Sequence, residues 1–259
     1  GEWLQRGNVP VYIGGSELNA ASALAVWKQP VKCITALPDH AMASQVVDSV
    51  KQRGVDLHVH QVDSSRLGVY YLIQGAELKG AGVTYDRAHS AFALLRPGMI
   101  DWEAVLADCS WFHFSAINPA LNSTSPQVCL EALQTARKMG LNISVDLNFR
   151  PKLWQYGKRP VEVMPDLVRH ADLIMGNMWS VEELLGIPAG IGSSQDKTDE
   201  ELQEAAVQST AAVLKAYERA SRVVYTFRLP DRYFACSATR NGFEVSGKVP
   251  VKMVVDRAG

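Results

Sequence analysis

Polar and apolar residues alternate in Ser144-Val145-Asp146-Leu147-Asn148-Phe149-Arg150, and Pro151 follows at once. A two-residue period puts Asp146, Asn148 and Arg150 on one face of an extended segment, and the proline bars a regular strand from continuing. At the carboxyl end of a parallel strand, that face opens where open α/β sheets hold their ligands. An acid, an amide and a guanidinium there suit a polar or anionic small molecule. A solvated strand end leading into a turn would carry the same triplet. A second set is Gly14-Gly15 just ahead of Ser16 and Asn19. Glycine backbone admits a ligand closely, although paired glycines also make ordinary tight turns. A third set is Tyr70 or Tyr71 with Tyr85 and Arg87, suited to hydrogen-bonding a sugar and pairing with an anion. An exposed hairpin with surface tyrosines would read alike. His58 and His60 share one face of an expected strand, but the sequence places no third metal ligand beside them.

The elements that must position these groups alternate in type. Val11, Tyr12 and Ile13 make a short β-prone run ending at Gly14, and Ser16 is expected to cap a helix rich in alanine and leucine. Residues 31–37 read as a strand, 39–53 as a helix stopped by Gly54, and 55–62 as a strand. Residues 67–74 and 82–87 are two extended segments with no helix between them, expected to form a small protruding sheet. Further on, 102–107 reads as a short helix and 111–115 as a buried strand. Ser125 is expected to cap, and Pro126 to open, a helix to Met139, followed by a strand over 142–148. Helix over 161–170, strand over 172–175, and Gly176-Asn177 preceding a helix through Leu185 come next. Thr198 and Glu201 form a capping box for a helix to Ala220, and 222–227 is a strand. The remainder is β: 233–239, a turn at Asn241-Gly242, 243–247 and 249–255. Strands alternating with helices from Val31 to Phe227 predict a mainly parallel, three-layer α/β domain, because parallel neighbours need helical crossovers.

Composition sets the outer bounds. With 259 residues, 47% hydrophobic and 20% charged, the chain can bury a sizeable core. Lysine and arginine number 26 against 27 acids, a net charge of -1, so no global basic field recruits nucleic acid or an anionic membrane. Any anionic partner must be met by local arginines. Cys33, Cys109, Cys129 and Cys236 are far apart with no CxxC pair, which speaks against a zinc site or a disulfide framework and for a reducing, cytoplasmic setting. No apolar run approaches the ~20 residues of a membrane span.

Taken together and in order, several segments resemble the ribokinase-like (PfkB) carbohydrate kinases, and among them the 2-keto-3-deoxygluconate kinases. Gly14-Gly15-Ser16-Glu17-Leu18-Asn19-Ala20-Ala21 is similar to that family's GG-x-x-x-N-x-A sugar-binding signature. The likeness continues through Val83-Thr84-Tyr85-Asp86-Arg87, His113-Phe114-Ser115-Ala116-Ile117, Asp146-Leu147-Asn148-Phe149-Arg150 with Leu153-Trp154, and Val224-Tyr225-Thr226-Phe227-Arg228. Val254-Val255-Asp256-Arg257-Ala258-Gly259 looks like the approach to a D-x-x-G-A-G-D motif.

The resemblance implies a single three-layer α/β/α ribokinase-like domain over 1–259, with lid strands around 10–15 and 67–87. It implies phosphorylation of a sugar or sugar acid by ATP with Mg2+. By position, Gly14, Gly15, Asn19, Tyr85 and Arg87 would contact the sugar, Ile117 would line its pocket and Arg150 would hold an anionic end. Asn177, Thr226 and Arg228 fall on the nucleotide side. The motif's catalytic aspartate is expected three positions past Gly259, and the sequence reads as ordered segments of a longer chain, residues 6–11 being short for the link between the first two strands. The family's N-x-x-E motif reads Asn177-Met178-Trp179-Ser180, with serine where a glutamate linked to magnesium and phosphate binding is usual, so that either Glu182 or Glu183 substitutes or a water carries that contact. A fructokinase or other sugar kinase, or a sugar-binding homologue without catalysis, would share most of these features. A homodimer through the lid strands is a further expectation, since a small sheet has edges to cover.

Overall fold

The computed structural model describes residues 10–71, 83–192 and 197–250. Those up to Leu95 form one compact unit and those from Arg96 onward a second.

In the first unit, helix α1 (Ser16–Val26), strand β1 (Lys32–Leu37), helix α2 (Ala41–Gln52) and strand β2 (Asp56–Gln61) follow one another. β1 and β2 pair in parallel, from Lys32 opposite Asp56 to Leu37 opposite Gln61. Their crossover is α2, whose Val50 packs with Ala21 of α1 and Val55 in a core completed by Leu18, Ala25, Val46 and Leu57. Cys33 lies against this core, and burial pushes its thiol up to about 11, so it stays protonated and inert. The short strands β3 (Val69–Tyr71) and β4 (Thr84–Asp86) form a separate antiparallel pair.

The second unit carries a sheet in which chain order and sheet order coincide for every strand but the last. Strands β5 (Trp111–Ser115), β6 (Asn142–Asp146), β7 (Leu173–Gly176) and β8 (Arg222–Arg228) lie side by side, all parallel. β9 (Arg232–Thr239) and β10 (Gly242–Val245) extend it antiparallel, and β11 (Val249–Pro250) pairs with β9. Helices α3 (Trp102–Val105), α4 (Ser125–Lys138), α5 (Met164–Val168), α6 (Met178–Leu185) and α7 (Asp199–Ala216) supply the connections. On β8, Val223, Tyr225 and Phe227 are buried while Arg222, Thr226 and Arg228 are exposed. The buried row meets α7, where the Ser209 and Tyr225 hydroxyls lie 2.9 Å apart, and Phe227 stacks on Phe234 of β9 at 4.6 Å.

Several boundaries differ from those expected. Residues 10–15, expected as a lid strand, form none: Val11 and Tyr12 are more than 80% exposed, and the segment is tied by Arg53, whose guanidinium donates to the Ile13 carbonyl at 3.3 Å. Within the two extended segments expected there, Val69–Tyr71 and Thr84–Asp86 do pair as strands, and 72–82 lie outside the described residues. Ser16 is the first residue of α1 rather than its cap; its hydroxyl donates to Glu17 at 2.7 Å, and Gly15 stands at the cap without a side chain. Ser125 is the first residue of α4 rather than its cap; Thr124 holds the cap position, and the Asn122 Oδ1 just ahead of it accepts from the Thr124 and Ser125 N–H groups at 2.9 and 3.0 Å. The helix expected over 161–170 is a 3-10 turn, Pro160–Glu162, followed by α5, with Pro165 setting the new start. α7 ends at Ala216 rather than Ala220. The β6 strand stops at Asp146, two residues short of expectation. Of the last expected strand, residues 251–255 lie outside the described residues.

Candidate functional site

The candidate residues divide between the units. In the first, Gly15 occupies the cap position of α1 and its carbonyl accepts the Asn19 N–H at 2.8 Å, so Asn19 lies one turn into the helix. A Cβ added at Gly14 would stand 3.1 Å from the Tyr70 hydroxyl, which explains why the glycine's missing side chain matters there. Tyr70 sits directly opposite Tyr85 on the β3–β4 pair. Opposed residues share a face, which selects Tyr70 over Tyr71 as the partner. The Arg87 guanidinium lies 5.0 Å from the centroid of the Tyr85 ring and 5.6 Å from that of Tyr70, a cation over two aromatic faces. Gly14, Tyr70, Tyr85 and Arg87 therefore form one cluster.

In the second unit the remaining candidates stand at the carboxyl ends of four adjacent parallel strands: Ile117 after β5, Arg150 after β6, Asn177 after β7, and Thr226 and Arg228 at the end of β8. Such an edge is where open α/β sheets bind ligands. After β5, the Ala116 N–H still donates to the Asp146 carbonyl at 2.9 Å, and the chain then turns, so Ile117 is half-buried at the rim.

The exit from β6 is built by a missing side chain. Leu147 is wholly buried and its N–H donates to the Met175 carbonyl at 2.7 Å. A Cβ at Gly176 would lie 2.9 Å from the Leu147 Cβ, closer than real side chains pack. The Phe149 N–H then bonds the Leu147 carbonyl at 2.7 Å, a tight turn that ends the strand. Asp146, Asn148 and Arg150 accordingly do not share one strand face, although all three are partly buried at the same strand end. Pro151 excludes helical backbone at Arg150, which is extended at φ -134 and ψ 92. The 3-10 turn Pro151–Leu153 follows, with Leu153 and Trp154 buried as anchors. Tyr156 lies against Trp154 at 5.9 Å and donates its hydroxyl to the Pro119 carbonyl at 2.9 Å, tying this segment to the loop after β5. Burial pushes the Tyr156 hydroxyl up to about 12, so it remains a donor. Held in this way, the half-buried Arg150 guanidinium donates to the Phe149 carbonyl at 3.1 Å and meets no carboxylate among the described residues.

Just past β7, Asn177 caps α6: its Oδ1 accepts the Ser180 N–H at 2.8 Å. The Thr226 hydroxyl is 3.5 Å from the Gly176 carbonyl on the neighbouring strand. Ser180 is buried in the first turn, and the Glu182 carboxylate accepts the Ala189 N–H at 3.4 Å. Glu183 is exposed and makes no hydrogen bond or ion pair among the described residues. Among the described residues, no group of three His, Cys, Asp or Glu side chains is spaced to hold a metal ion. A magnesium ion would fit only with one or two protein oxygens and ligands brought by a nucleotide, which is its common habit.

The anchoring residues Arg53, Tyr156 and Asn122 escape sequence reasoning, because each acts through a backbone carbonyl or amide that no spacing reveals.

Residues 2–219 match the sequence family described as pfkB family carbohydrate kinase. The chain belongs to that family. Among pfkB relatives, it is 34% identical over 140 residues to the 2-dehydro-3-deoxygalactonokinase of Haloferax volcanii, covering 54% of this chain and 44% of that protein. It is 26% identical over 185 residues to the 2-dehydro-3-deoxygluconokinase of Bacillus subtilis, covering 69% and 56%. The chain thus spans about half the length of these relatives. The crystal structure of the 2-dehydro-3-deoxygluconokinase of Thermotoga maritima superposes with a TM-score of 0.84 at 28% identity, over 98% of this chain and 76% of that one. The ribokinase-like α/β fold expected from the pfkB motifs is therefore the fold observed. Among the described residues, no helix is long and apolar enough to cross a membrane.

Proposed function

We propose that this protein transfers a phosphoryl group from ATP to a sugar acid of the 2-keto-3-deoxygluconate class. The observation that carries the proposal is the Arg150 guanidinium, half-buried past the end of β6 without a carboxylate partner among the described residues. A planar, permanently charged fork held in place and left unneutralised is the complement of a carboxylate; a neutral hexose gives it nothing to pair with. The names of the Haloferax, Bacillus and Thermotoga proteins support the same substrate class.

Each group then has a role. Arg150 fixes the carboxylate, and Ile117 supplies apolar contact. Gly14, Gly15, Asn19, Tyr85 and Arg87 contact the sugar. Asn177, Thr226 and Arg228 serve the nucleotide. Phosphoryl transfer demands positioning and charge stabilisation above all, so the work of these residues is to hold donor and acceptor in line. Magnesium, bound through nucleotide phosphates with Glu183 as the uncommitted carboxylate, would neutralise charge on the phosphoryl group. Four free thiols fit a reducing, cytoplasmic setting. The exposed Val69 and Tyr71 on β3 offer a small face for a homodimer through the lid.

The test is ADP release by the full-length protein with 2-keto-3-deoxygluconate and with fructose. Arg150→Ala should raise KM for the acid by about 30-fold, the value of one charged hydrogen-bonded pair near 2 kcal/mol, while changing fructose kinetics by less than about threefold. Equal losses on both sugars, or no activity on the acid, would overturn the assignment.

A further inference from the structure

Between Tyr85 and Arg87 lies a residue with no part in the proposed substrate contacts. Asp86 points to the opposite face of β4, as the two-residue period requires, and there it meets Arg66. The Arg66 guanidinium donates to Asp86 Oδ1 through Nη1 at 2.7 Å, and its Nη2 is 2.5 Å from Oδ2. The same guanidinium donates to two main-chain carbonyls, that of Asp86 at 3.2 Å and that of Ala88 at 3.0 Å. One side chain therefore grips the carboxylate and the carbonyls on both sides of Arg87. Arg66 is itself fixed, because its carbonyl accepts the Ala91 N–H at 2.9 Å and it bridges Ser90. Only a rigid fork with five donors can make this set of bonds at once. Arg66 and Asp86 are each more than a third exposed, so their pairing adds little to global stability; its effect is local.

We propose that Arg66 and Asp86 are a positioning pair that locks the backbone around Arg87, holding its guanidinium over Tyr70 and Tyr85 in the one orientation that meets the substrate. The proposal rests on the sugar-acid reading for what Arg87 binds, but not for how Arg87 is held. Neither residue touches substrate; both act through Arg87.

The experiment has a spectroscopic arm and a kinetic arm, both on the full-length protein. In a 1H–15N spectrum of arginine side chains, the Arg87 Nε–H, identified by its loss in Arg87→Lys, should be displaced by the ring currents of the two tyrosines. Asp86→Asn and Arg66→Ala should return it towards the position of an unstacked arginine, and Arg66→Lys should restore it only in part. In kinetics on the keto-deoxy acid, Asp86→Asn and Arg66→Ala should raise KM about tenfold with kcat within about twofold, and should add no more than about twofold in an Arg87→Ala background. A resonance unmoved by Asp86→Asn and Arg66→Ala overturns the positioning role whatever the substrate. KM increases that persist undiminished in the Arg87→Ala background overturn it too, since the pair would then act elsewhere. A wild-type protein active on fructose but not on the acid overturns the substrate reading, and the resonance alone then decides the positioning role.

Discussion

Arg150 owes its usefulness to what surrounds it rather than to its charge. Pro151 sets its backbone, Leu153 and Trp154 anchor the next turn, and Tyr156 pins that turn to the Pro119 carbonyl. Removing the last contact with Tyr156→Phe should cost about 1 kcal/mol in urea unfolding, the usual net worth of one hydrogen bond, and should loosen Arg150 enough to raise KM for the acid without changing kcat. Arg150→Lys should recover less than half of the binding energy lost in Arg150→Ala, since an ammonium cannot reproduce the fork; titration calorimetry with the acid would measure it. The type and place of Arg150 were legible in the sequence, because alternation and the proline marked a strand end. That Asp146, Asn148 and Arg150 leave a common strand face was not, because the tight turn at Phe149 depends on how Leu147 is received by the neighbouring strand.

Elements were most legible where their ends carry local chemistry. The capping box of α7 is present as spaced: the Thr198 hydroxyl accepts the Glu201 N–H at 3.2 Å, and the Glu201 carboxylate accepts the Thr198 N–H at 2.8 Å. They were least legible where an element's end depends on a group outside it, as the first amides of α4 depend on Asn122. Gly176 belongs to this second kind. A glycine before a helix looks like punctuation, yet its role is to let β6 and β7 approach beside Leu147. Gly176→Ala should destabilise the fold by about 1–3 kcal/mol, the cost of an added methylene in a packed core, visible as a lower urea midpoint. Because Asn177 follows directly, the KM for ATP should rise in the same variant while that for the sugar moves less. The lid strand expected at residues 10–15 failed for a related reason: β-prone residues make a strand only where a partner edge meets them, and Val11 and Tyr12 are left exposed.

At the scale of the molecule, alternation of strands and helices made the α/β class and the parallel run legible, while the strand neighbours had to come from the structure. One ion cluster there joins elements far apart in sequence. Asp199, at the start of α7, is buried, with Arg232 of β9 at 2.5 Å and Lys248 at 2.5 Å. The Arg232 hydrogen bond foremost, then that of Lys248, holds its carboxyl below the ordinary 3.8. A lowered carboxyl contributes stability that is full above its ordinary value and is lost as pH falls through the folded one. Urea midpoints of wild type and Asp199→Asn should therefore be well separated at pH 7 and converge on acidification below about pH 4. The plain side-by-side order from β5 to β8 has a different consequence, for inheritance. The rim residues assigned to the acceptor, Ile117 and Arg150, come first along the chain, and those assigned to the donor, Asn177, Thr226 and Arg228, come after. A single recombination point between β6 and β7 would carry one strip across whole and leave the other untouched. On the proposed roles, exchange of that one contiguous stretch of gene would change the acceptor contacts and leave the donor contacts as they were.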